Sequence, residues 1–123
     1  METGQMTEAD IQIQVVEYCR LLEKQAGFLM FSCPNEAMGG ARGGAGIGRM
    51  TKLKKMGLRS GVADLVFVKN HQVYFLEMKA PKGIVSANQK AFADDAWQAG
   101  AFYAVAYSFE EAVNQLKLWR MFE

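Results

Sequence analysis

Histidine, cysteine and proline are scarce in this sequence of 123 residues, which holds one His, two Cys and two Pro. That supply falls short of a four-ligand zinc site. Cys19 and Cys33 lie far apart and form no CxxC pair, so both read as reduced, buried thiols. No apolar run approaches the roughly 18–20 residues that cross a bilayer. The opening METGQMTEAD has no basic stretch leading into an apolar core, so no secretory signal is expected. These absences together predict a cytoplasmic protein. Excess charge of one sign is also missing, since 14 Lys and Arg against 13 Asp and Glu leave a net charge of +1. The balance is not uniform along the chain. Arg42, Arg49, Lys52, Lys54, Lys55 and Arg59 occur between Gly39 and Gly61 without an acid. A near-neutral protein can carry a local basic patch, so the net charge does not exclude a nucleic-acid partner.

What is present suits a single domain over residues 1–123, with half of the residues apolar and 22% charged, enough for a hydrophobic core. Thr7 with Asp10 three residues on resembles a capping box. Ile11, Val15, Tyr18 or Cys19, and Leu22 then recur at helical spacing up to Gly27. Residues 28–33 read as a short apolar strand ended by Pro34-Asn35. Two more strands are expected over 62–68 and 73–79, with the short link Lys69-Asn70-His71-Gln72 making a hairpin. His71 reads as a turn residue. Ser86 and Gln89 form a second capping-box pattern opening a helix to about Ala99. A strand over 102–107 and a helix capped by Ser108 and Glu111 complete the order αβββαβα.

Residues 36–60 show no clear period and hold seven of the 12 glycines. A phosphate-loop reading fails, because Gly43 and Gly48 have the required separation but Arg49-Met50 replace the Lys and Ser/Thr. A flexible basic arm that tracks nucleic-acid phosphates fits better than a merely solvated loop.

The chemistry lies in the hairpin. A symmetric link pairs Val68 with Val73, and the same register sets Asp64 opposite Glu77. Opposed residues have Cβ atoms about 4.5–5.5 Å apart, and like charges there destabilise the pair. Isolated carboxylates in apolar strands need partners, and a hard divalent cation would supply one. Lys79, two residues beyond Glu77, falls on the same face. Two acids and an amine at one spot suit metal-assisted hydrolysis. The plain alternative is a solvent-facing acid beside a weak Glu77–Lys79 surface pair.

Three stretches then carry a resemblance: Gly57-Leu58-Arg59-Ser60-Gly61-Val62-Ala63-Asp64-Leu65, Phe75-Leu76-Glu77-Met78-Lys79 and Ser86-Ala87-Asn88-Gln89-Lys90-Ala91-Phe92. With Glu8-Ala9-Asp10-Ile11-Gln12 and Ala99-Gly100-Ala101-Phe102-Tyr103, they resemble the VRR-NUC family, a branch of the PD-(D/E)xK nuclease superfamily. The resemblance implies an α/β fold of restriction-endonuclease type, αβββαβ plus a C-terminal helix. It implies a Mg²⁺- or Mn²⁺-dependent DNA endonuclease. Asp64, Glu77 and the Met78 backbone carbonyl would hold the metal, and Lys79 would be the catalytic lysine. Glu8 matches the family's first-helix acid and Gln89 its helix glutamine. Small stand-alone members, frequent in phages and prophages, resemble homodimeric Holliday-junction resolvases. Ala63 stands where the family usually has Pro.

Two of these residues have simpler roles as well. An acid at Glu8 is favoured by the helix dipole alone, and Gln89 could serve only its capping box. The sequence thus leads to a metal-dependent endonuclease acting on structured DNA as a homodimer. The alternatives are a DNA-binding module that keeps the fold without cleaving, and a structural protein whose acids are surface charges.

Overall fold

Thr7 accepts a hydrogen bond from the Asp10 amide while Asp10 accepts one from the Thr7 amide, so the first helix starts where the capping pattern places it. It ends at Gly27, whose φ of 76° is the left-handed conformation that glycine adopts without strain. The computed structural model describes residues 6–34 and 43–123. Helix α1 (Glu8–Ala26) is followed by strand β1 (Leu29–Ser32), helix α2 (Gly43–Lys55), and strands β2 (Leu65–Lys69) and β3 (Gln72–Met78). Helix α3 (Ala87–Gln98), strand β4 (Phe102–Ala106) and helix α4 (Phe109–Leu118) follow. Arg42 and Asn35 lie outside the described residues.

The strands form one sheet in the order β1-β2-β3-β4. β1 to β2 and β2 to β3 are antiparallel, and β3 to β4 is parallel through the crossover helix α3. The hairpin has the expected register, with Val68 opposite Val73 and Leu65 opposite Leu76. Its two-residue turn is Asn70-His71, both at positive φ, 52° and 67°, as a twist-compatible turn between antiparallel strands requires.

Alternation along the strands divides the sheet into two faces. Met30, Leu65, Phe67, Leu76 and Met78 are buried on one face against Ile11, Val15 and Cys19 of α1 and Ala112 and Leu116 of α4. Each fully buried side chain of this size contributes about 1.5–3 kcal/mol. On the other face Phe75 meets Phe92 of α3 edge-on at 4.9 Å between ring centroids. α3 is thereby held over the end of the sheet where β3 leaves it. Among the described residues no helix is long and apolar enough to cross a membrane.

Three expectations need correction. The glycine-rich segment is not irregular throughout, since α2 occupies Gly43–Lys55. Ile47, Met50 and Leu53 recur three apart in the sequence, a weak helical spacing set among glycines that argue against a helix. Lysine and arginine are good helix formers, and basic residues in the last turn suit the dipole. Strand β2 begins at Leu65 rather than Val62, because Gly61 turns the chain at a φ of 83°. Of the two thiols expected to be buried, Cys19 is fully buried, whereas Cys33 is only half-buried.

Candidate active site

Asp64 occupies the residue before β2. Its carbonyl accepts a hydrogen bond from the Cys33 amide at 3.0 Å, which ties it to the end of β1. Its carboxylate Oδ2 accepts one from the Met78 amide at 2.8 Å, which ties it to β3. The observed hairpin register, continued by one residue, sets Asp64 against Glu77. Backbone donors on two neighbouring strands thus hold the acid where a hairpin alone would let it swing.

Glu77 and Lys79 are the buried charged residues among those described, at 2% and 8% exposure. Gln89 is the principal partner of Glu77. Its Oε1 accepts from the Ser86 amide and its amide donates to Ser86 Oγ, so the capping box fixes the side chain. Its Nε2 is then free to donate to Glu77 Oε2 at 2.8 Å. The cap and the site are one device. Lys79 Nζ stands 3.8 Å from the same Oε2, an ion pair longer than a hydrogen bond.

Burial pushes the Glu77 carboxyl up to about 8, and the negative charge of Asp64 adds to the rise. Lys79 opposes it, and Glu8 adds a smaller push in the same direction as Asp64. Glu77 Oε1 is buried with no hydrogen-bond partner. A buried carboxylate oxygen without a donor costs free energy unless something positive meets it. Tyr103 shows the same local field: burial first, then the charges of Glu77 and Asp64, push its phenol above the ordinary range.

These side chains share a cleft of about 490 Å³ with Glu8 and Gln12 of α1, the end of β1, and Gly61 and Val62. The structure therefore brings Glu8, Asp64, Glu77, Lys79 and Gln89 to one cavity. Among the described residues no group of three or more His, Cys, Asp or Glu side chains forms a metal-binding cluster. Two carboxylates remain, a number that suits Mg²⁺, which keeps several of its own waters. The orphaned Oε1 beside a second carboxylate fits a cation of that kind.

The basic residues divide. Arg49, Lys52, Lys54 and Lys55 are exposed on α2. Arg59 is turned to α3, where its guanidinium donates to the Asp95 carboxylate and lies 5.4 Å from the centre of the Phe92 ring. Sequence reasoning also passed over Gln12, which lines the cleft one helical turn beyond Glu8, a spacing that would have revealed it. Gly61 is evenly open in the sequence between a plain turn glycine and a further role, and a Cβ there would lie 2.2 Å from the Asn88 carbonyl oxygen. Only the folded approach of Gly61 to α3 discloses that role.

Residues 10–110 match the VRR-NUC domain family. A solved structure described as a VRR_NUC domain protein superposes with a TM-score of 0.73, covering 98% of this chain and 93% of its own, at 15% identity. At that identity the superposition shows a shared fold. No curated protein matches the chain.

Proposed function

Because the chain belongs to the VRR-NUC family, a family of nucleases, we propose that it is an endonuclease that hydrolyses phosphodiester bonds in structured DNA with Mg²⁺ or Mn²⁺. The observation that carries this reading is the buried, unpartnered Oε1 of Glu77 beside Asp64. Asp64, Glu77 and the Met78 carbonyl would hold the cation, which would polarise the phosphoryl group and supply an activated water. Gln89 keeps Glu77 oriented through Oε2. Lys79, buried in the cleft wall, places a cationic group where negative charge builds during hydrolysis. Glu8 adds negative potential from α1 and lies outside the carboxylate pair. Arg49, Lys52, Lys54 and Lys55 would contact DNA phosphates, and Arg42 and Arg59 complete the basic set drawn from the sequence.

The resemblance to stand-alone members supports a homodimer that acts on a branched duplex such as a Holliday junction, with one site for each continuous strand. A second reading rests on a different observation: among the described residues no third His, Cys, Asp or Glu is placed to hold a metal together with the carboxylate pair. It is a DNA-binding module that keeps the fold without cutting.

Cleavage of a labelled four-way junction, a flap and a plain duplex with Mg²⁺, Mn²⁺ or EDTA separates the two. The nuclease reading expects metal-dependent cutting, lost by at least about a hundredfold in Asp64→Asn and Lys79→Ala with DNA binding kept. Salt-dependent binding with no cutting under any metal condition would establish the second reading. Light scattering of the purified protein tests the dimer.

A further inference from the structure

Helix α2 stands apart from the sheet and its three packed helices, since among the described residues it shares no extensive contact with another helix or strand. Its half-buried residues, Met50 and Leu53, are three apart and share one side. Gly48, Thr51, Lys52 and Lys55 fall on the opposite side at i, i+3, i+4 and i+7, and all four are exposed. Arg49 and Lys54 occupy the two flanks. No acid occurs from position 37 to position 60. A Cβ added at Gly48 would meet nothing within 4 Å, so this outer face is open and its centre has no side chain.

The arrangement matches a groove of double-stranded DNA. The major groove, about 12 Å wide, admits an α-helix, and at about 1.5 Å per residue α2 is some 20 Å long. Gly48, the first residue of this face, lets that end of the helix approach closely, and cations on both flanks reach the phosphates that border a groove. α2 carries no aromatic ring on which unpaired bases could stack. Its chemistry therefore favours a duplex over a single strand.

A second feature connects this helix to the site. A cleft of about 320 Å³ is lined by Gly57, Leu58 and Arg59, just past the end of α2. It shares Ser32, Cys33, Pro34 and Val62 with the cleft that holds Glu77. A continuous trough thus runs from the foot of α2 to the carboxylates.

We propose that α2 seats its Gly48–Lys55 face in the major groove of a DNA duplex, and that the trough receives one strand of that duplex. The proposal rests on the reading of the chain as a DNA nuclease, and it adds the form of DNA held and the surface that holds it.

Binding of the full chain to a fluorescent duplex and to the same single strand, measured by anisotropy in EDTA across a salt series, tests it. Gly48→Leu adds bulk to the open face without changing charge. Its duplex affinity is expected to fall about tenfold with the salt slope kept, while single-strand affinity stays unchanged. Gly48→Ala, a smaller addition, should retain most duplex affinity, and circular dichroism confirms that both variants are folded. Lys52→Ala with Lys55→Ala should lower the salt slope by about two. Folded Gly48→Leu binding duplex like the parent, or losing duplex and single strand equally, would overturn the proposal. The EDTA assay involves no cutting, so that failure leaves the nuclease reading standing. Conversely, absence of metal-dependent cleavage with α2-dependent duplex binding would sink the nuclease reading alone.

Discussion

At position 77 a carboxyl group only 2% exposed lies against a second acid, with one glutamine donor and one distant lysine for support. Burial and the Asp64 charge raise its folded value to about 8 from an ordinary 4.5. The folded protein therefore binds more protons than the unfolded chain between those two values. Stability from this group falls as pH rises through that window and is flat above it. Glu77→Gln removes the titration while keeping the shape. In EDTA its melting temperature should exceed the parent's near pH 8 and converge with it near pH 5, as read by thermal denaturation across pH. Divalent metal reverses the order. A cation held at 100 times its dissociation constant stabilises the parent by about 2.7 kcal/mol, and the gain should grow with pH because protons compete for Glu77. Equal metal-induced shifts in the parent and Glu77→Gln would show that the cation binds elsewhere.

At the scale of elements, the N-terminus of α3 does more than start a helix. Ser86 holds Gln89, Gln89 holds Glu77, and Gly61 lets the loop before β2 pass against the Asn88 carbonyl. Ser86→Ala should cost about 1 kcal/mol of stability as a lost cap while the Ser86 backbone amide still holds Gln89, whereas Gln89→Leu should lower cleavage because Glu77 loses its donor. Denaturant melts and cleavage rates read the two effects separately, and full activity in Gln89→Leu would show that Glu77 needs no such donor. Gly61→Ala places a Cβ 2.2 Å from backbone oxygen at a φ of 83°. It should destabilise by more than about 1 kcal/mol and weaken metal binding by moving α3, both readable from melts with and without Mn²⁺. The elements themselves were largely legible from sequence. Thr7, Gly27, Ser86 and Ser108 mark helix ends by their own chemistry, and Val68 with Val73 fixes the hairpin register. α2 was not legible, because Ile47, Met50 and Leu53 give only a short three-residue spacing and glycine argues against a helix. Nor was the pairing of Arg59 with Asp95, 36 positions later, since nothing local in either residue announces a contact at that separation.

Across the whole molecule, the cleft is assembled from parts with different distances to travel. β2 and β3 meet through a two-residue turn, Asn70-His71. The strands that flank them are remote: Leu29 pairs with Val68, and Tyr74 with Phe102. Family membership and the convergence of Asp64, Glu77 and Lys79 were readable because a short hairpin converts sequence order directly into spatial order. Glu8 and Gln89 arrive from helices on either side of that hairpin in the chain, so the family resemblance pointed to them where local geometry could not. The same disparity sets a sequence of events in time. Local closure is fast and distant strand pairing is slow, so the hairpin is expected to bring the acids face to face before α3 docks to support them. Substitutions in the turn, such as His71→Val, should slow refolding. Ser86→Ala should leave refolding nearly unchanged and accelerate unfolding, as stopped-flow chevrons would show. In that order the short turn would govern when the carboxylates meet, and the later-docking helix how long they stay together.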